Sequence, residues 1–190
     1  MRIFTLRKGV LESNFGTRSS FKGFVVLVVM LIMTASSAMA QEVKYEVIGG
    51  LRYLIDIDTK TAALMPKTDG KYSGDIVVPE KVKSSDGAEY SVTSLGGSCF
   101  YDCSGLTSIT IPSSVTSLGG FCFSFCSGLT SITIPSSVTS LGEYCFARCY
   151  GLTSITIPSS VTSLERYCFE GCSGLTSITL PPSVTSLGHD

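Results

Sequence analysis

From Val92 onward, apolar and polar positions recur with a fixed period of 23 residues. Four copies follow one another and a fifth begins at Val184; the first copy reads VTSLGGSCFYDCSGLTSITIPSS. A unit this short cannot bury its own apolar side chains, so successive copies must stack on one another. The pattern therefore predicts a repeat solenoid whose core lies inside the stacked coils.

Two segments of each copy have the alternation typical of half-buried strands. They read LTSITI, from Leu106, and VTSL, from Val115. Ile109 and Ile111 should point to the core, while Ser108 and Thr110, which alternate with them, point to solvent. Pro112 ends the first segment because proline has no backbone donor. We expect these segments to form parallel β ladders along the stack, with equivalent strands about 4.8 Å apart.

A third segment carries two cysteines four positions apart in every copy. A single helical turn would direct both side chains to the core, so we predict short helical turns here. We interpret the cysteines as small buried residues that fill two core columns. Two alternatives are disulfides between coils, which an exported chain with an even cysteine count allows, and a metal site, although no C-x2-C pair or nearby histidine completes a zinc set. The pairs are Cys99/Cys103, Cys122/Cys126, Cys145/Cys149 and Cys168/Cys172.

Residues 41–91 lack the repeat pattern and predict a small β cap that becomes the first coil. Two alternating segments, Val43–Ile48 and residues 51–57, flank a pair of glycines, which is a hairpin signal. A third strand is predicted at Thr61–Met65. The later segment DIVVP, from Asp75, resembles the SITIP of the repeats and indicates where the stack begins.

Residues 1–40 have the composition of a secretory signal peptide. A basic stretch ends at Lys22, the apolar run FVVLVVMLIM follows from Phe24, and small residues lead up to Ala40. We predict cleavage between Ala40 and Gln41, export of the protein, and no stable membrane span in the chain that remains. The alternative is a retained anchor, since the uncharged run is just long enough to cross a bilayer.

The charge and the motifs of the remaining chain exclude several function classes. From Gln41 onward there are nine basic and fourteen acidic side chains, a net charge of −5, with no basic stripe for nucleic acid. The sequence contains no nucleophile elbow, no phosphate loop and no recurring pair of carboxylates. We therefore predict a protein that is not an enzyme and that has no cofactor or metal ion.

The order C-x2-L-x2-I-x-I-P-x2-V-x2-L-G-x3-F, repeated across residues 92–188, resembles the BspA-type leucine-rich repeats. This resemblance implies a right-handed leucine-rich solenoid over residues 92–190 and a secreted or cell-surface protein whose relatives often act in adhesion and host contact. The sequence departs from the family twice. Cysteine replaces the usual alanine at the first position of each cysteine pair, and Glu165 replaces the glycine that follows leucine in the other copies.

Positions that differ between the copies are either merely exposed or adapted to a binding partner. The core columns repeat, whereas positions beside the cysteines change and are rich in aromatic residues, which are common in binding patches. We expect a secreted or cell-surface module that binds an extracellular protein or glycan; the alternative is a structural spacer or a fragment of a larger surface protein. The predicted binding face comprises Tyr101, Phe121, Phe125, Tyr144, Arg148 and Tyr167.

The last coil is the other candidate contact surface. The chain stops half a coil after Ser183, so Ile178 and Leu180 belong to a strand without a successor. A bare strand edge pairs readily with another chain. We therefore expect either self-association at this edge or further sequence beyond Asp190.

Overall fold

The computed structural model describes residues 41–188, and this part of the chain contains thirteen strands. The predicted signal peptide and its cleavage site lie outside the described residues, apart from Gln41. The strands are β1 (Val43–Ile48), β2 (Leu51–Asp56), β3 (Thr61–Met65), β4 (Gly74–Val77), β5 (Lys81–Lys83), β6 (Glu89–Leu95), β7 (Leu106–Thr110), β8 (Ser117–Leu118), β9 (Ser131–Thr133), β10 (Ser140–Leu141), β11 (Ser154–Thr156), β12 (Ser163–Leu164) and β13 (Ser186–Leu187).

The cap is an antiparallel meander of β1, β2 and β3. Gly49 and Gly50 join β1 to β2 with φ angles of 58° and 81°, the two positive values that a tight hairpin turn requires. The predicted hairpin and the third strand are therefore confirmed. β3 pairs in parallel with β6, so the cap sheet continues directly into the solenoid. β5 was not predicted from the sequence; it pairs antiparallel with β6 and closes a second hairpin.

Two parallel ladders form the solenoid, as the repeat predicts. In the longer ladder, β6, β8, β10, β12 and β13 follow one another in a nine-stranded sheet that also includes the cap strands. Its register places Ser94, Ser117 and Ser140 side by side, one position per coil. The second ladder contains the pairs β4–β7 and β9–β11, followed by a bridge from Thr156 to Thr179.

Stacked columns of identical side chains fill the core. Ile109 and Ile111 are 9% and 8% exposed, and the alternating polar residues Ser108 and Thr110 face solvent, as predicted. Phenylalanine rings form an inner column, with centroids 5.2–5.5 Å apart and interplanar angles of 4° or less. The burial of each such ring contributes about 1.5–3 kcal/mol of stability. This column comprises Phe100, Phe123, Phe146 and Phe169.

The segment predicted as a helical turn is a series of tight turns instead. The amides of Ser98, Phe100 and Asp102 donate to carbonyl groups of the next coil, each at 2.8 Å. The amides between them donate within their own coil, three residues back. A helix would use every amide internally, so the bonds between coils exclude it. Between residues 41 and 188 there is accordingly no helix with the length and apolarity to cross a membrane.

The last coil has few neighbours among the described residues. β13 pairs with β12 on one side, and Leu180 and Leu187 are 37% and 60% exposed. Ile178, by contrast, is half-buried against the core. Self-association at this edge remains a prediction.

A glycine column lets adjacent coils approach closely. A Cβ atom added to Gly119 would lie 2.5 Å from the backbone nitrogen of Gly97, nearer than atoms can approach. The amide of Gly119 donates to the Leu95 carbonyl at 2.9 Å. Glu165 occupies this column in the fourth copy, and its amide makes no equivalent bond to another described residue. The β10–β12 ladder also narrows there to the single pair Leu141–Leu164.

We expect Gly119→Ala to lower the free energy of unfolding by about 2 kcal/mol, because the added methyl group forces two backbones apart. Gly120→Ala is the matched control, since its Cβ would lie 3.4 Å from the nearest atom, the Glu143 carbonyl oxygen. It should change stability by no more than about 0.5 kcal/mol. Urea denaturation of both variants measures the difference, and equal effects would contradict the close-approach account.

Candidate functional site

The six residues of the predicted binding face lie together on the turn side of the solenoid, and we call this group the aromatic ridge. The rings of Phe121 and Tyr144 stack with centroids 4.7 Å apart at 9°, and those of Tyr144 and Tyr167 stack at 4.7 Å and 21°. Tyr101 meets Phe121 edge-on at 6.4 Å. The ridge comprises Tyr101, Phe121, Phe125, Tyr144, Arg148 and Tyr167.

Charged groups flank the rings of the ridge. The Arg148 guanidinium lies 5.3 Å from the Phe125 centroid and 3.7 Å from the Glu170 carboxylate. The two side chains are 48% and 41% exposed, so this ion pair contributes little to stability. At the other end, Lys71 lies 5.3 Å from the Tyr101 ring and donates to the Tyr101 carbonyl oxygen at 2.7 Å, which ties the cap to the ridge.

The Tyr144 hydroxyl group of the ridge is protonated at neutral pH. Partial desolvation by neighbouring groups, followed by the proximity of Tyr167 and of acidic side chains, raises the pKa of Tyr144 above its ordinary value. A protonated phenol both donates and accepts a hydrogen bond. The ridge therefore offers a row of apolar ring edges with polar tips.

Most ridge residues have a left-handed backbone. The φ angles are 56° at Phe121, 62° at Phe125, 54° at Tyr144, 57° at Arg148 and 56° at Tyr167. Left-handed residues with a Cβ cost roughly 1–2 kcal/mol each, and bulky ones are uncommon. The alternating amides explain this conformation, since every second amide must point to the next coil. Strain is thus concentrated where the sequence varies between copies.

One sequence signal for this conformation was missed. Gly171 has a φ of 65° and stands in the column of Asp102, Phe125 and Arg148. Glycine and aspartate are both enriched at positive φ, so a column that mixes them with larger residues indicates a left-handed site. The parallel column that begins with Ser98 contains no glycine and gave no such signal.

Thiol groups link each coil to the previous one behind the ridge. The Sγ atoms of Cys126, Cys149 and Cys172 donate to backbone carbonyl oxygens of the preceding coil, each at 3.0 Å. Alanine at these positions would lack the sulfur atom and could not make this bond. All eight cysteines are free and buried, and residues 41–188 contain no cluster of three or more potential metal ligands.

Burial keeps four of the thiol groups protonated, whereas a hydrogen bond with Cys149 lowers the pKa of Cys172. Burial raises the pKa of Cys126 and that of Cys168 to about 12, and it raises the pKa of Cys122 and that of Cys145 well above the ordinary value. The protonated thiol is a poor nucleophile and a poor metal ligand. The cysteines are therefore core residues, and three of them also donate hydrogen bonds from one coil to the preceding one.

We expect stability to fall as the pH rises above about 9, the ordinary thiol value. The four thiols described above, whose pKa is raised, then ionise in the unfolded chain and not in the folded one, so unfolding releases protons and each of these four costs up to about 1.4 kcal/mol per pH unit. Urea titrations from pH 8 to pH 11 measure this slope. Cys126→Ala should reduce this slope by the contribution of one thiol, because one proton fewer is released on unfolding. The denatured wild type should titrate as eight free thiols, and oxidised cysteines or a flat profile would contradict the account.

The parallel ladders, the leucine columns and the tight turns between them define a leucine-rich repeat protein. The chain belongs to the BspA type leucine rich repeat region family, whose repeat matches residues 88–190 in six copies. The resemblance drawn from the sequence is thereby confirmed. No curated protein matches the chain.

Solved structures share this fold. A leucine-rich repeat protein from Bacteroides ovatus is 31% identical with a TM-score of 0.62; the match covers 79% of this chain and 37% of the other. One from Bacteroides capillosus is 27% identical, also with a TM-score of 0.62, and covers 72% of this chain and 98% of the other. The Treponema pallidum protein TpLRR, at 19% identity and a TM-score of 0.56, shows the fold alone and covers 73% and 78%.

Proposed function

We propose that this chain is an exported, surface-acting binding module whose aromatic ridge contacts an extracellular protein. The signal-peptide features of residues 1–40 support export. A leucine-rich repeat solenoid presents an extended surface, and the sequence offers no catalytic motif, which favours binding over catalysis.

The main observation that supports the proposal is the left-handed backbone of the ridge. Glycine or asparagine would fit Phe121, Tyr144 and Tyr167 with less strain. A solenoid that needed only stability would therefore gain little from large rings at these positions. Backbone strain that persists in this way is typical of functional sites. Tyrosine and arginine also dominate the energetics of protein interfaces.

The stacking of the rings favours a protein ligand over a glycan. Neighbouring centroids lie 4.7 Å apart, so each ring covers the face of the next. A sugar ring would need an open aromatic face, whereas the ridge presents ring edges, which are electropositive. These edges, the tyrosine hydroxyl groups and the Arg148 guanidinium all suit carbonyl and carboxylate oxygens. A protein surface with acidic side chains meets these requirements.

The double variant Tyr144→Asn, Tyr167→Asn tests the proposal. Asparagine tolerates the left-handed backbone, so removal of both rings should leave the melting temperature within a few degrees of wild type. Binding to an array of matrix proteins should weaken at least tenfold, since two interface tyrosines are removed. The same array also carries glycans, so that binding to a glycan can be compared with binding to a protein.

Tyr150→Asn is the matched control, because Tyr150 is 48% exposed but lies outside the ridge. Its binding should equal that of wild type. Two results would contradict the proposal: binding that survives the double variant, or a double variant that unfolds like a core substitution. A wild-type protein that binds nothing on the array would favour a structural spacer.

A further inference from the structure

The outer edge of the cap sheet is unusually apolar for an exposed strand. Val43, Tyr45 and Val47 in β1 are 47%, 56% and 65% exposed and share one face. Among the described residues, β1 pairs with β2 alone, so its other backbone edge is open. Proteins normally protect such an edge with proline, a bulge or outward charges, and β1 has none of these along this face.

The pairing with β2 determines which backbone groups face this edge. The amide of Ile57 donates to the Glu42 carbonyl oxygen at 3.0 Å, and the β1–β2 register continues from that pair without a bulge. Hydrogen-bonded pairs alternate along an antiparallel ladder, so the even-numbered residues of β1 bond to β2. The N–H and C=O groups of Val43, Tyr45 and Val47 therefore point to the open edge.

The sequence of β1 is complementary to itself about Tyr45. If two β1 strands run antiparallel across a two-fold axis at this residue, Val43 of one copy faces Val47 of the other and the two tyrosines face each other. Lys44 of each copy then faces Glu46 of the other. We propose that β1 pairs in this way with β1 of a second copy, which joins two nine-stranded sheets into one across an isologous interface.

The charges select this register among the neighbouring ones. A two-fold axis at Lys44 would place lysine opposite lysine, and an axis at Glu46 would place glutamate opposite glutamate. Like charges directly opposite destabilise a ladder, whereas opposite charges contribute about 0.2–1 kcal/mol per pair. An axis at Tyr45 also places Val43, Tyr45 and Val47 of one copy opposite the same three residues of the other. Their free N–H and C=O groups can then form the hydrogen-bonded pairs of the new ladder.

The two charged side chains are held in position before pairing. The Lys44 ammonium lies 2.7 Å from the Asp86 carboxylate and 2.6 Å from the Ser84 hydroxyl. Glu46 accepts hydrogen bonds from the same hydroxyl at 2.6 Å and from the Ser85 amide at 2.7 Å. Ordered side chains lose less entropy on association, which favours a contact as small as one strand edge. β1 contains no ridge residue, so this contact is independent of the proposed ligand site.

Charge reversal tests both the contact and its register. The full-length protein, purified as the cell processes it, should show a concentration-dependent dimer in sedimentation velocity. Lys44→Glu places glutamate opposite glutamate, and Glu46→Lys places lysine opposite lysine. Each variant alone should raise the dimer dissociation constant about tenfold. An equimolar mixture of the two variants should restore a heterodimer, because every facing pair is then of opposite charge.

Two further variants keep the test decisive if either charge variant folds poorly. Tyr45→Pro removes an amide that faces the open edge and no β1–β2 bond, so it should abolish the dimer while circular dichroism stays native. Val47→Lys should weaken the dimer, whereas Val77→Lys, at a 68% exposed valine of β4, should not. A monomer at every concentration, a dimer insensitive to these changes, or a mixture that fails to associate would overturn the proposal.

Discussion

The backbone hydrogen bonds between consecutive coils are the constraint on which the rest of the structure depends. In the turn segments of the first three copies every second amide donates to the next coil, at distances of 2.6–3.0 Å. This alternation excludes a helix and requires positive φ at two positions per coil. It also brings the coils so close that Gly119 and Gly142 have no room for a Cβ atom. The 23-residue period preserves this register from one coil to the next.

The same register connects the core with the candidate site. Because equivalent residues lie directly above one another, rings stack on rings both inside, at Phe100 and Phe123, and outside, at Phe121 and Tyr144. The inner column must repeat, since it fills the core, whereas the outer column can vary. The left-handed backbone displays the outer side chains at fixed spacing on a rigid support. Rigid aromatic residues of this kind favour binding because they lose little entropy.

Much of the fold could be predicted because the repeat shows each core position several times. Ile109 alternates with polar neighbours and Pro112 ends its strand, so the ladders follow from local chemistry. The helical turn was wrongly predicted because the spacing of Cys122 and Cys126 also fits one turn of a helix. The bonds that decide between the two conformations run between coils and leave no pattern within one copy. The ridge was found by its variability, but its strained backbone was indicated only by Gly171.

The stabilities of Tyr144→Gly and Tyr144→Ala test the central claim, that the coil register imposes a left-handed backbone on this face, most directly. Both changes remove the ring, and they differ only in the Cβ atom. If φ at this position is positive, glycine should be more stable than alanine by about 1 kcal/mol in urea denaturation. The same pair at Thr133, in an extended strand, should show the opposite order. Alanine equal to or more stable than glycine at position 144 would contradict the account.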